Sequence, residues 1–144
     1  MTPSSAVCPR IIHIAAALLI GADGRTLLVR KRGTEAFMQP GGKIEAHEQA
    51  VHALARELEE ELGLIIDPAS ATFLGQFSAP AANEPGFIVR AEIFQLTIDA
   101  EVCPAAEIEE VIWIDPATDG NVTLAPLTRD LILPFYRASQ TATT

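Results

Sequence analysis

At 144 residues and 49% hydrophobic, the chain is long enough for one domain with its own core. A formal net charge of −9 and an isoelectric point near 4.7 argue against a nucleic-acid groove, which needs a basic surface, and no run approaches the roughly eighteen consecutive apolar residues of a membrane span. Cys8 and Cys103 are too few and too far apart for a disulfide framework or a CxxC metal site; they read as buried or incidental thiols, as in a reducing cytoplasm.

Residues 1–9, with Pro, Ser and Thr, read as loosely held. Ile11 to Gly21 has the length of a signal-peptide core, yet the same residues read as the first strand of a hairpin: apolar Ile11 to Ile20, turn residues Gly21 to Gly24, then a strand Thr26 to Val29 ending in Arg30-Lys31-Arg32. His13, inside the apolar run, reads as a packed side chain. Gly33 to Glu35 is a loop, Phe37 to Gln39 a short extended piece, and Pro40-Gly41-Gly42 a turn. A helix is predicted from about Glu48, where a carboxylate suits the positive end of the dipole, to Gly63, a glycine stop. Val51, Leu54, Leu58 and Leu62 form its apolar stripe. His47 and His52 have no partner at metal-ligand spacing and read as solvent-facing.

Beyond the helix come a turn at Asp67-Pro68-Ala69 and a strand Ala71 to Ser78. A loop Ala79 to Gly86 follows, of the length where specificity usually resides, then a long strand Phe87 to Ile98. After a loop Asp99 to Glu107, Ile108 to Ile114 is another strand, residues 117–126 a loop, and Leu127 to Tyr136 a final helix that Pro134 is expected to end early. The tail Ala138 to Thr144 reads as disordered. Strands on both sides of a helix, with a second helix at the end, predict a single α/β domain over 1–144, a mixed sheet covered on two faces.

Glu57, Glu60 and Glu61 stand at i, i+3 and i+4, so on a helix they share one arc and repel each other. One explanation is a solvated acidic face. The other is a hard divalent cation, Mg²⁺ or Mn²⁺, which binds a few carboxylates plus waters and substrate phosphate oxygens. Lys43, after the glycine turn, reads as an exposed loop lysine or as a phosphate contact. Arg56 has an i, i+4 surface pair with Glu60 as its simplest explanation.

Gly42, Glu48, Arg56-Glu57-Leu58, Glu60-Glu61 and Gly63-Leu64 satisfy every position of the pattern G-x5-E-x7-R-E-U-x-E-E-x-G-U, with U aliphatic. Seven prescribed identities at these offsets arise by chance at roughly 10⁻⁸ per starting position. Over this stretch, with Pro40-Gly41 before it, the chain resembles the Nudix hydrolases. The resemblance implies an α/β/α sandwich with a mixed sheet and a cytoplasmic enzyme, commonly a homodimer. Its activity would be a pyrophosphohydrolase, dependent on Mg²⁺ or Mn²⁺, acting on a small-molecule nucleoside diphosphate linked to another moiety. Nucleoside triphosphates, oxidised ones included, and ADP-ribose-like sugars both stay open; Pro80 lies close to the position of a proline associated with ADP-ribose-hydrolysing relatives. Phe37, Phe77, Phe87 and Trp113 are available to stack on a base but read as core.

By the same resemblance Glu57, Glu60 and Glu61 hold metal, with a backbone carbonyl from Gly41 and support from Glu48 and Gly42. Arg56 orients Glu57, the first candidate for the base that activates water, and Glu60 acts with them. Arg30 and Arg32 would face substrate phosphates, the alternative being a solvated strand end. Some relatives place the base on a later loop, where Glu107, Glu109 and Glu110 are candidates for that role or for a further contact, against an ordinary acidic loop. A Nudix-fold sensor that binds a nucleotide without turnover is the alternative function, and the intact acidic set argues against it.

Overall fold

A computed structural model describes residues 10–105, 107–118 and 120–141. The expectations for residues 1–9, for Cys8 and for residues 142–144 lie outside the described residues. In chain order the elements are β1 (Arg10–Ile20), β2 (Thr26–Lys31), β3 (Phe37–Met38), β4 (Gly41–Lys43), α1 (Ala50–Leu62), β5 (Thr72–Pro80), β6 (Phe87–Thr97), β7 (Ile108–Ile114) and α2 (Leu133–Thr141). A short 3₁₀ turn, Pro68–Ser70, precedes β5, and a π-helical turn, Thr128–Ile132, leads into α2.

The strands form one seven-stranded mixed sheet. β1 runs parallel to β6 along its whole length, Arg10 opposite Phe87 through Ile20 opposite Thr97, and β5 adds antiparallel to β6 at the edge. The predicted hairpin is splayed: β1 and β2 pair only at Ile20 and Thr26. Beyond that point β1 turns to β4, and β2 pairs with β7 and β3.

From Ala15 to Ile20 β1 is apolar without alternation because both of its faces are covered there. Ala15, Ala17 and Leu19 pack beneath α1 with Leu54, Leu58 and Leu62. Ala16, Leu18 and Ile20 face Leu127, Ile132 and Tyr136 on the other side. The result is an α/β/α sandwich. Leu54, Leu58 and Leu62 are fully buried, each contributing roughly 1.5–3 kcal/mol relative to exposure. Gly63 stops α1 in the left-handed region at φ 63°, its N–H bonded to the Glu59 carbonyl while the Leu64 N–H reaches that of Leu58.

Several expectations are corrected, among them His13, read as packed, which is exposed and meets Glu92 Oε2 at 2.8 Å. α1 begins at Ala50, with Gln49 as its cap, so Glu48 precedes the helix and no acid lies in the first turn. Pro134 does not end the last helix: in the π-helical turn before it the Leu133 N–H bonds the Thr128 carbonyl, and a proline one residue on falls in the opening turn of α2, where a missing N–H costs little. α2 therefore continues to Thr141, through the first residues of the predicted tail. Cys103, read as a buried or incidental thiol, is exposed.

Candidate functional site

β4 lies against β1, Ala16 opposite Gly41 and Ala15 opposite Gly42, and α1 packs over it. The contact is close enough to require glycine at both positions. A Cβ at Gly41 would come within 2.1 Å of the Ala15 carbonyl oxygen, and its φ of 151° also disfavours a side chain. A Cβ at Gly42 would stand 2.3 Å from Glu57 Cδ. The space beside Gly42 is thus filled by the Glu57 carboxylate.

Arg56 organises the acids around it. Its Nε and Nη2 donate to both oxygens of Glu48 at 2.9 Å, a bidentate fork, and Nη2 also donates to the Lys43 carbonyl at 3.1 Å. Nη1 donates to Glu57 Oε2 at 2.9 Å and to Glu60 Oε1 at 3.4 Å. The Arg56 fork, with the Glu45 N–H, holds the Glu48 carboxyl at a pKa of about 2. Glu48 sits before the helix because its task is to pair with Arg56 and to tie down the loop at Glu45.

The three helix glutamates differ in exposure. Glu60 has half of its side chain in solvent, Glu57 is mostly covered, and Glu61 is 5% exposed. Burial raises the Glu61 carboxyl to a pKa of about 7; the Lys31 charge and the Gly41 backbone oppose the rise, and Glu57 and Glu107 add to it. Its Oε1 is buried with no hydrogen-bond partner. A buried carboxylate oxygen without a donor is costly unless a cation is meant to meet it.

The donor set fits a hard dication. The groups are oxygens, one of them orphaned, and Arg56 draws Glu48, Glu57 and Glu60 toward a single guanidinium. Among the described residues no three His, Cys, Asp or Glu side chains converge on one point as a closed cage requires. Mg²⁺ needs no such cage, since it keeps waters and takes one or two carboxylates plus phosphate oxygens.

Beside the glycines opens a cleft of about 140 Å³ whose lining includes Lys31, Gln39, Gly41, Gly42, Lys43 and Asn83. Glu57 adjoins it through Gly42. The loop after β5 contributes Ala81 to Glu84 to its wall, the segment singled out for specificity. A larger hollow of about 470 Å³ lies at the opposite end of β1, between Gly21, Asp99 and Trp113, and contains none of these groups.

Of the basic trio, Arg30 and Arg32 are engaged elsewhere. Arg30 donates twice to Glu110 Oε1, at 3.0 and 3.2 Å, and to the Thr34 carbonyl, and it lies over the Phe37 ring. Arg32 pairs with Glu109 across an exposed strand edge. Lys31, between them, lines the cleft and offsets the charge of Glu61. The alternation of β2 carries the signal: Leu27 and Val29 face α1, so Lys31 belongs to that side, and a register irregularity between Arg30 and Lys31 marks the change. Lys43 is exposed at the cleft wall, and His47 and His52 are exposed. Phe37 is buried; Phe77, Phe87 and Trp113 are half-buried and line no wall of the cleft.

Known proteins resemble the chain to different extents. An ADP-ribose pyrophosphatase of Methanocaldococcus jannaschii is 28% identical over 109 residues, which are 72% of this chain and 63% of that protein. An octanoyltransferase of Myxococcus xanthus is 37% identical over 117 residues, 76% of this chain but 31% of that protein. The chain thus spans less than two thirds of either relative. The crystal structure of a MutT protein from Methanosarcina mazei Go1 superposes with a TM-score of 0.76 at 24% identity, covering 91% of this chain and 96% of that one, and shows the same fold. Residues 11–130, from the first apolar strand to the turn before α2, match the NUDIX domain, so the chain belongs to the Nudix family.

Proposed function

We propose that the protein is a Mg²⁺- or Mn²⁺-dependent pyrophosphohydrolase acting on a nucleoside diphosphate linked to a further group. The observation that carries this reading is the junction of Gly42, Glu57 and Arg56: a carboxylate pressed onto a bare backbone and oriented by a guanidinium, beside a cleft bearing Lys31 and Lys43. The name of the Methanocaldococcus relative, an ADP-ribose pyrophosphatase, supports the reaction class. Family members use divalent ions, and a bound dication would neutralise the diphosphate and lower the pKa of a coordinated water.

Glu57, Glu60 and Glu61 are the carboxylates that would hold it, with Gly41 offering backbone and Glu61 Oε1 an unshared oxygen. Glu57 orients a water at phosphorus and takes its proton. The new P–O bond forms as the bridging P–O bond breaks, and the leaving phosphate departs with the electron pair. Arg56 fixes the angle of Glu57, which a lysine with one point charge cannot do. Lys31 and Lys43 offset the charge that grows on the phosphoryl oxygens. Arg30 pairs with Glu110 and Arg32 with Glu109, and none of the four lines the cleft.

The test is a panel of nucleoside triphosphates, oxidised nucleotides and ADP-ribose, with Mg²⁺ or Mn²⁺, in which the phosphate-containing products are identified. Hydrolysis of a phosphoric anhydride in at least one of them is expected. Tight nucleotide binding with no turnover of any would replace this reading with a sensor.

A further inference from the structure

The two margins of the sheet are built differently. Among the described residues β7 pairs only with β2, and it contains adjacent acids, Glu109 and Glu110, each paired with an arginine. Charge of this kind keeps a further strand from adding at a margin. β5, at the other margin, pairs only with β6. Its nine residues, Thr72–Pro80, include no Asp, Glu, Lys, Arg or His, in a chain of net charge −9. Among the described residues no hydrogen bond reaches the backbone of β5 from the side turned away from β6. Aromatic rings flank the strand on both faces. On the α1 face Phe73 is 55% exposed, its ring 5.3 Å from that of Phe94. On the α2 face Phe77 meets Phe135 edge-on at 5.6 Å, both half-buried. An exposed phenylalanine beside an open, uncharged row of N–H and C=O groups is the pattern of a strand that takes a neighbour.

We propose that β5 is the interface of a homodimer, in which the same strand of a second copy adds antiparallel across a two-fold axis and joins the two sheets into one. The proposal stands independently of the hydrolase reading. Charge decides the occupant. A basic partner would be drawn to this protein by its carboxylates, and this strip offers none. Two copies of a −9 chain repel, so they come together best where neither presents a charge. Antiparallel addition about a two-fold sets β5 against itself, residue i on residue j and j on i, a contact that closes at two copies. The area suffices. Nine residues at about 3.4 Å each span roughly 30 Å, and the strand with one helix layer is roughly 20 Å deep, so each copy covers about 600 Å², the lower end for a specific interface. The register irregularity between Phe73 and Gly75 and the missing N–H of Pro80 confine regular pairing to Gln76 through Ala79, with Phe73 and Phe77 packing across the seam.

The test follows the mass of the full chain by sedimentation equilibrium on dilution from about 100 µM to about 1 µM, the range in which an interface of this size dissociates. Twice the 15.4 kDa protomer mass is expected at the top of the range, falling toward one protomer on dilution. Association should strengthen, by roughly threefold or more in Kd, when ionic strength rises from about 0.01 M to about 0.1 M, because salt screens the repulsion between like-charged copies. Phe73→Lys and Ser78→Lys, both at exposed positions, should each weaken the dimer by roughly tenfold or more, since they place like charges across the axis. Glu109→Lys also makes the chain less negative, but at the charged margin, and should leave Kd within about threefold of wild type. Circular dichroism checks that the lysine variants keep the fold. Hydrogen exchange in the wild type reads the seam without any substitution: amides within Gln76–Ala79 should exchange faster on dilution, and those of β7 should not change. A monomer throughout, growth beyond two copies, a dimer that both lysine variants leave intact, association that weakens with salt, or β5 amides indifferent to dilution each overturns the proposal.

Discussion

A Cβ at position 42 would stand 2.6 Å from both carboxylate oxygens of Glu57, the far end of a flexible side chain, whereas at position 41 it would meet the backbone of β1. The two neighbouring glycines therefore answer the same substitution differently. Gly42→Ala should displace Glu57 and lower kcat by roughly 10²-fold, with Tm within a few degrees of wild type. Gly41→Ala must move a strand, and a loss of about 3 kcal/mol or more of stability is expected by thermal denaturation. Glu57→Gln keeps the shape and removes the charge; kcat should fall by roughly 10²- to 10⁴-fold with Mg²⁺ present and the circular dichroism unchanged. Turnover near wild type in that variant would remove Glu57 from the mechanism.

Along α1 the apolar stripe is legible as periodicity, and Leu54, Leu58 and Leu62 are buried as the spacing implies. What periodicity does not convey is the difference among three glutamates on one arc, because it depends on the height of β4 and of the loop at Ala105, whose N–H caps the Glu61 carbonyl. Glu61 has its carboxyl raised to about 7 by burial, so the fold disfavours its charged form. Stability from the neutral group is complete below the ordinary value of 4.5, declines as pH rises, and is lost above about 7. In chelator-treated protein Glu61→Gln should match wild type near pH 4.5 and exceed it above pH 7 by on the order of 2–3 kcal/mol, read from denaturant midpoints. In β2 the same limit applies to Lys31: composition marks three cations, and only the pleat and the irregularity beside Arg30 decide which one the cleft receives.

For the molecule as a whole, the longer strands are legible because each is largely apolar and bounded by turns, and Ile108–Ile114 lies where it is read, whereas β4, Gly41–Lys43, lies in the stretch read as a turn. Pairing is not: nothing local in Arg10–Ile20 announces a parallel partner in Phe87–Thr97, and the hairpin reading of β1 and β2 follows from a local turn that closes only one pair. A cation that binds the folded site alone should raise Tm after chelator treatment. At a concentration of about 100 times Kd the gain is about 2.7 kcal/mol, roughly 5–10 °C for a domain of this size. The gain should be larger at pH 8 than at pH 5.5, because Glu61 is then free of its proton, and smaller in Glu57→Gln. The long parallel register has a temporal consequence as well. Each residue of β1 waits for a neighbour more than half the chain further on, so a ribosome must release most of the polypeptide before that seam can close. Such distant closure slows folding into the millisecond-to-second range and leaves an isoleucine-rich ribbon without its main neighbour during synthesis, a stage at which chaperones would find a client.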